Sequence, residues 1–370
     1  MDVEGYGCQR EVLHLYCVVG AVGEREFGKI RLPVATTQTG LHAGQPCLSA
    51  GHAFAVHHQD IAAIVSPAPM RAYRGMKKEE VIPYLFAHQA VIEKVLERRT
   101  VVPVKFGTMA RDGEEVRAIL EKGYPQLRAA LEAMEGKIEL DVVALWRDLN
   151  SLLREIGEED EIRRAKAAIA TRSSEETREE RVRIGQMVKA RLDRRREELV
   201  VEIVEALEGL AQDLLPHALL DDRMILNTAV LVERSREGEV GRVLERLNGR
   251  CAERVDFRCV GPLPPYSFST VEIRRFEAEE VERARRLLGL GERAGLLDVK
   301  AAYRRLAHQC HPDKAPVRQG RTAGPFEEVA EAYRLLSDYC EAAGQSHPGA
   351  EAAGVIAVKL CHWGAEAGVA

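Results

Sequence analysis

Apolar positions along this chain change period several times, and each change marks a structural element. Val12 to Val19 is a short apolar run suited to a buried strand, and Ala53 to Val65 gives a second extended signal that ends in Ile61, Ile64 and Val65. A Gly- and Thr-rich connection lies between them. From about Lys77 to Arg98, the residues Val81, Leu85, His88, Ile92, Val95 and Leu96 recur at helical spacing, and the strand Val101 to Phe106 follows, ended by Gly107. A second helix runs from about Asp112 to Met134, with an Asp cap and acids in its first turn, as the helix dipole favours. These elements predict an α+β domain over residues 1–135.

The period then becomes two. Ile138, Leu140 and Val142 alternate with Glu139, Asp141 and Val143, which predicts a strand with one buried face. From about Glu158 to Leu215 the chain is charged and helical, with an interrupted stripe of Ile184, Met187, Val188, Arg191, Leu192, Leu199, Ile203 and Leu207 that predicts a long helical hairpin or arm. Met224 to Val232 (strand), Glu237 to Asn248 (helix) and Arg254 to Val260 (strand) form a βαβ-like unit. Together with the Ile138 strand it predicts a second, ferredoxin-like α+β domain over residues 136–275. The prolines of Gly261-Pro262-Leu263-Pro264-Pro265-Tyr266-Ser267-Phe268 keep that segment extended. From Glu277 the pattern is helical as far as Cys340, giving a small all-α domain over 276–340. Residues 341–370, rich in Ala and Gly with one short apolar run from Val355 to Leu360, read as a flexible tail. The fold class is therefore α+β with a small helical module at its end.

A length of 370 residues favours two or three domains. A net charge of -5 supplies no global field to hold nucleic acid. The eight cysteines are scattered and form no C-x-x-C pair, which points to reduced thiols in a cytoplasm. No segment approaches the ~20 consecutive apolar residues that span a bilayer, and the first residues carry acids where a signal peptide would be basic, so the expectation is a protein neither exported nor membrane-spanning.

The most informative local pattern runs from Leu297 to Lys314. Val299, Tyr303, Leu306 and Cys310 fall on one helical face, while Lys300, Arg304 and His308 line another. Pro312 forces His311 out of the helical region, so His311-Pro312-Asp313 sits at an exposed corner. A second helix, Pro325 to Asp338, turns Phe326, Val329, Ala330, Tyr333 and Leu336 inward, completing an antiparallel hairpin. With the entry Leu287-Leu288-Gly289-Leu290, this stretch from about Arg285 to Asp338 resembles the J-domain of Hsp70 co-chaperones. The resemblance implies that His311 and Asp313 engage the Hsp70 ATPase and linker region, and that Lys300, Arg304 and Arg305 steer toward an acidic Hsp70 surface. Hsp70 would hydrolyse the ATP.

Four further motifs appear in order. They are Val102-Pro103-Val104-Lys105-Phe106-Gly107-Thr108, Gly136-Lys137-Ile138-Glu139-Leu140, the Asn227-containing strand behind Asp222-Arg223-Met224, and the Pro-rich octapeptide. Together they resemble the gas vesicle GvpL/GvpF family over roughly Leu13 to Phe268. That resemblance implies two α+β domains, gas vesicle localisation, and a role as assembly factor or minor structural component, with the shell protein and other accessory proteins as partners. It implies no reaction of its own, in keeping with the lack of a nucleophile–base constellation or phosphate loop in the sequence.

The remaining candidates have plainer readings. His52, His57 and His58 near Asp60 contain metal-ligand types, but adjacent histidines in a strand point to opposite faces, and no metal or cofactor is expected. Arg191, Arg194, Arg195 and Arg196 form a basic knot, yet the interleaved Asp193, Glu197 and Glu198 make a solvated ion-paired face the better reading. Ser173, Ser174 and Thr177 read as helix caps, and Cys251 and Cys259 as small packing residues. Pro264, Pro265, Tyr266 and Phe268 fit either partner binding or packing of the domain's last strand. Three functions remain open: gas vesicle assembly with Hsp70 recruitment as the leading one, general co-chaperone work with the α+β domains binding other clients, and a metal-dependent or nucleic-acid-acting enzyme, which would hold metal tightly or bind oligonucleotide in a salt-dependent way.

Overall fold

In the computed structural model, placement is described for residues 11–20, 30–37, 46–69, 76–251, 254–291, 294–310, 325–342 and 355–362. The chain divides into two compact units, one made of residues 1–133 and 270–361, the other of 134–269 and 362–370.

The first unit starts with strands β1 (Glu11–Gly20), β2 (Ile30–Thr37), β3 (Pro46–His58) and β4 (Ile61–Pro69), then α1 (Lys78–Leu96), β5 (Val101–Pro103), β6 (Met109–Ala110) and α2 (Gly113–Ala133). The sheet runs β2-β3-β4-β1-β5, with β6 also on β1, and every one of its strand pairs is antiparallel. The extended signal of Ala53 to Val65 proves to be two strands. Gln59, at φ 51°, turns the chain so that His58 pairs with Ile61. Strand β2 lies in the Gly- and Thr-rich connection; its backbone ladder on β3 runs from Ile30↔Ala53 to Thr37↔Pro46. The Asp112 cap is present, its carboxylate accepting from the Glu114 and Glu115 amides at 3.0 and 2.9 Å. Leu15, Val18, Ile61, Val65, Val102, Val116, Ile119, Leu120 and Leu127 make the core between sheet and helices. The motif Val102 to Thr108 serves this core: the Val104 amide donates to the Tyr16 carbonyl at 2.9 Å, and Gly107 takes the positive φ of 83° that its turn requires.

The second unit comprises β7 (Lys137–Trp146), α3 (Leu149–Gly157), α4 (Asp160–Ile169), α5 (Arg178–Glu208), β8 (Asp213–Pro216), β9 (Met224–Glu233), α6 (Glu237–Arg250) and β10 (Val255–Leu263). Its antiparallel sheet has the order β10-β7-β9-β8, the ferredoxin-like arrangement that the spacing of Ile138, Met224 and Arg254 predicts. The expected helical arm is shorter at its end. Asp213 to Pro216 leave the helix and become an edge strand, because the Leu214 and Leu215 backbone finds β9 to pair with. Thr177 stands at the N-cap of α5, but its hydroxyl donates to the Ser173 carbonyl at 2.8 Å rather than capping the helix.

The chain then returns to the first unit with β11 (Thr270–Arg275), α7 (Ala278–Leu288), α8 (Leu296–Cys310), α9 (Pro325–Ala342) and β12 (Ile356–Cys361). Two expected boundaries change here. Residues 270–275, read as the end of the second domain, form a strand of the first unit, and the segment read as a flexible tail contains β12, paired with β11 from Thr270↔Cys361 to Arg275↔Ile356. The cause is tertiary: Val271 and Ile273 with Ile356, Val358 and Leu360 present one apolar face, which packs on the core beneath α2. No helix among the described residues is long and apolar enough to cross a membrane.

Candidate functional site

Two places carry the chemistry singled out in the sequence. In the second unit the octapeptide closes over strand β7. Gly261 runs so near β7 that a Cβ there would lie 3.0 Å from the Glu139 carbonyl oxygen and 2.4 Å from Leu140 Cδ2, and the β10–β7 ladder slips between Val260 and Leu263. Pro265 then holds the turn by accepting from the Phe268 and Ser269 amides at 3.2 and 2.9 Å. Pro264, Pro265 and Phe268 are buried, and Phe268 packs with Met134, Ala229 and Leu231. Of the four residues considered for partner binding, Tyr266 alone is half-buried rather than buried.

Ser267 is the latch of this segment. Its amide donates to Glu139 Oε2 and its hydroxyl to Glu139 Oε1, both at 2.8 Å, and the hydroxyl also lies 3.3 Å from His217 Nε2. Glu139 is 2% exposed. Burial pushes its carboxyl up to about 7, with the Asp141 charge adding to the rise and the two Ser267 hydrogen bonds opposing it. The alternation around Ile138 placed Glu139 on the polar face of its strand; what the sequence did not announce is that the octapeptide covers that face.

The pH dependence follows with a definite sign. A carboxyl whose folded pKa is raised binds more protons folded than unfolded between about 4.5 and 7, so its contribution to stability falls as pH rises through that window. Glu139→Gln is therefore expected to gain on the wild type by roughly 3 kcal/mol between pH 4.5 and 7, at about 1.4 kcal/mol per unit. Glu139→Leu, which strands the Ser267 N–H, should cost about 2 kcal/mol at pH 5. Urea unfolding of both variants at the two pH values checks this.

In the first unit, α7, α8 and α9 pack around Val281, Ala284, Leu288, Val299, Ala302, Val329, Ala332, Leu336 and Tyr339. Gly289 ends α7 at φ 67°, which accounts for a glycine in the Leu287 to Leu290 entry. Tyr303 and Tyr333, both on the expected inward faces, stack at 4.3 Å. Lys300, Arg304 and Arg305 are exposed along α8, forming a basic surface clear of the core. His311, Pro312 and Asp313 lie outside the described residues; in the chain they follow directly on Cys310, the last residue of α8.

The other candidates have structural partners. Asp60 accepts from Tyr124 Oη and Arg128 Nε, each at 2.7 Å, and His58 packs edge-on to Tyr124; among the described residues no group of His, Cys, Asp and Glu is arranged to hold a metal. Arg194 and Arg196 pair with Glu198 and Asp193 on their own helix, as the interleaving suggests, while Arg191 and Arg195 reach to Glu159 near α4.

Comparison with known proteins matches both parts. Residues 12–270 fit the family described as gas vesicle synthesis protein GvpL/GvpF, and residues 286–343 fit the DnaJ domain. Gas vesicle protein F of Streptomyces sp. (strain CB03234) is 30% identical over 211 residues, covering 56% of this chain and 84% of that relative. Its counterpart in Microcystis aeruginosa (strain PCC 7806) is 25% identical over 203 residues, 53% and 82% of the two chains. The helical module is 48% identical over 52 residues to DnaJ homolog subfamily B member 6 of Xenopus tropicalis, which is 14% of this chain and 22% of that one. In fold, the chain is similar to the crystal structure of gas vesicle protein GvpF from Anabaena sp. PCC7120, with a TM-score of 0.56 and 21% identity over 70% of this chain and 97% of that one.

Proposed function

From the premise that the chain belongs to the gas vesicle GvpL/GvpF family and carries a DnaJ domain behind it, we propose that it handles gas vesicle shell protein during assembly and recruits Hsp70 to the same place. Shell subunits that expose apolar strands before assembly are templates for wrong pairing, and chaperone action delivered at that moment suppresses it. The chain itself performs no chemistry in this reading; it associates with the gas vesicle, and its partners are the shell protein, the other accessory proteins and Hsp70.

The observation that carries the reading is the exposed basic face of Lys300, Arg304 and Arg305 on α8, the helix that His311-Pro312-Asp313 follows in the chain, in a protein whose larger part is of the gas vesicle family. Such a face acts mainly on the rate of encounter with an acidic partner. Reversing Arg304 and Arg305 to Glu should slow association with Hsp70 by about 10-fold or more at low salt. The difference should shrink near 1 M salt, where the Debye length falls to about 3 Å. Stopped-flow association at two salt concentrations measures both.

Copurification separates this reading from a general co-chaperone role. Preferential capture of shell protein over an unrelated unfolded chain supports the vesicle role, and equal capture of both supports the general one.

A further inference from the structure

We propose that β11 and β12 form a clasp that fixes the J module on the N-terminal α+β sheet of the first unit in one orientation, leaving the basic face of α8 free. The J helices are inserted between the two strands, so one hydrogen-bonded ladder closes over both ends of the module. The two faces of this ladder have different duties. Val271, Ile273, Ile356, Val358 and Leu360 face the core of sheet and α2, and α2 comes so close that a Cβ on Gly123 would lie 2.7 Å from Val358 Cγ1.

The opposite face holds the J module. Asp338 of α9 receives Arg274 of β11 at 3.1 Å and Lys359 of β12 on its other carboxylate oxygen, and Ala357 joins the J-module core. Phe276, just past β11, packs edge-on to Tyr339 of α9 at 5.4 Å, while its amide donates to the Val355 carbonyl at 3.2 Å. The clasp is also tied to the segment after β5 and to α2. The Lys105 amide donates to the Val271 carbonyl at 2.9 Å, Lys105 pairs with Glu272 at 2.6 Å, and Arg275 pairs with the buried Glu115 at 2.8 Å.

The ion pairs and the ring contact to the J module are made to Asp338 and Tyr339 of α9. Lys300, Arg304 and Arg305 of α8 stay exposed, so the surface assigned to Hsp70 is not used up by the clasp. A J module on a loose tether would sample many orientations. Held by the clasp, it presents Hsp70 at a set place relative to the sheet, a consequence that rests on the Hsp70 reading above, whereas the clasp itself does not.

Hydrogen exchange followed by mass spectrometry on the full chain tests the clasp without Hsp70. In the wild type, amides of residues 270–275 and 356–361 should exchange at least about 100-fold more slowly than unstructured chain. Val358→Asp, which puts a charge into the core, and Gly123→Leu, which pushes on β12 from α2, should each erase that protection while α8 and α9 keep theirs. Stimulation of Hsp70 should stay within about twofold of wild type in both variants, because neither touches α8. Residues 356–361 exchanging at the unstructured rate in the wild type, or both variants leaving the two strands protected, would overturn the clasp. The expected exchange pattern with no Hsp70 stimulation by any form would sustain the clasp and remove the Hsp70 reading instead.

Discussion

Replacing His311 with Gln is expected to return single-turnover ATP hydrolysis by a cognate Hsp70 to its unstimulated rate. In the chain His311 follows directly on Cys310, the last residue of the basic helix α8, and a residue that precedes a proline is disfavoured in helical backbone. The substitution keeps a polar side chain of similar length there and removes only the imidazole, so the packing of α8 on α9 through Val299, Ala302, Val329 and Leu336 should survive unchanged. Loss of stimulation should therefore come with unaltered helical circular dichroism and unaltered melting. A stimulation of tenfold corresponds to about 1.4 kcal/mol of barrier, well inside what a positioned group contributes. The Arg304 and Arg305 reversals should behave differently: at saturating concentration they should still stimulate, since they affect encounter and not the step at His311. Full stimulation by the His311→Gln chain would mean that stimulation does not pass through His311, and no stimulation by either form would leave the module as a binding hairpin.

Acidification should unfold the first unit well before carboxylate protonation alone would do so. His14 on β1 and His88 on α1 are both buried, 3.2 Å apart from His14 Nε2 to His88 Nδ1, and His88 Nε2 is 3.1 Å from the Val104 carbonyl oxygen. That geometry has one consistent assignment: His88 donates from Nε2 to Val104 and accepts at Nδ1 from the His14 N–H, with both rings neutral. Tyr16 and Phe106 close the cluster, Tyr16 stacking on His14 at 4.7 Å and Phe106 standing edge-on to His88 at 5.4 Å.

Burial lowers His14 to about 3, helped by the neighbouring His88, and burial lowers His88 to about 4, against the opposing hydrogen bond to Val104. In the unfolded chain both rings titrate near 6.5, so below that pH the unfolded state binds protons that the folded state refuses. The contribution of the pair is complete above about pH 7 and is lost as pH falls, at about 1.4 kcal/mol per unit for each ring, or roughly 5 kcal/mol by pH 4.5. That is the size of a small domain's whole stability. Exchange measured residue by residue between pH 7.5 and 4.5 should show β1, β4 and α1 losing protection. The second unit should not follow this trend, because Glu139 acts in the opposite direction there. Substituting Leu for both histidines should flatten the slope; an unchanged slope would place the acid sensitivity elsewhere.

Much of this architecture is written in local sequence. The helical stripe from Val81 to Leu96 matches α1 to within a residue or two, the Asp112 cap is found with its hydrogen bonds, and the alternation from Ile138 to Val143 becomes the central strand β7. The J-like hairpin is likewise legible, because Val299, Tyr303, Val329 and Leu336 mark its buried side by spacing alone. Such signals survive translation into structure because each lies within a few turns of helix or one strand.

What the sequence alone could not decide is where short strands find partners. The residues of β11 and β12 are six apiece, separated by the whole J module, and each alone is too short and too mixed to stand apart from a linker or a tail. Closing so long a loop costs conformational entropy, and only the shared apolar face against α2, with Asp338 on the other side, offsets it. The latch at Glu139 has the same origin. The sequence determined that a carboxylate sits on that strand face and that a Pro-rich segment ends the domain; the tertiary fold alone brought Ser267 onto Glu139, and burial there raised its pKa.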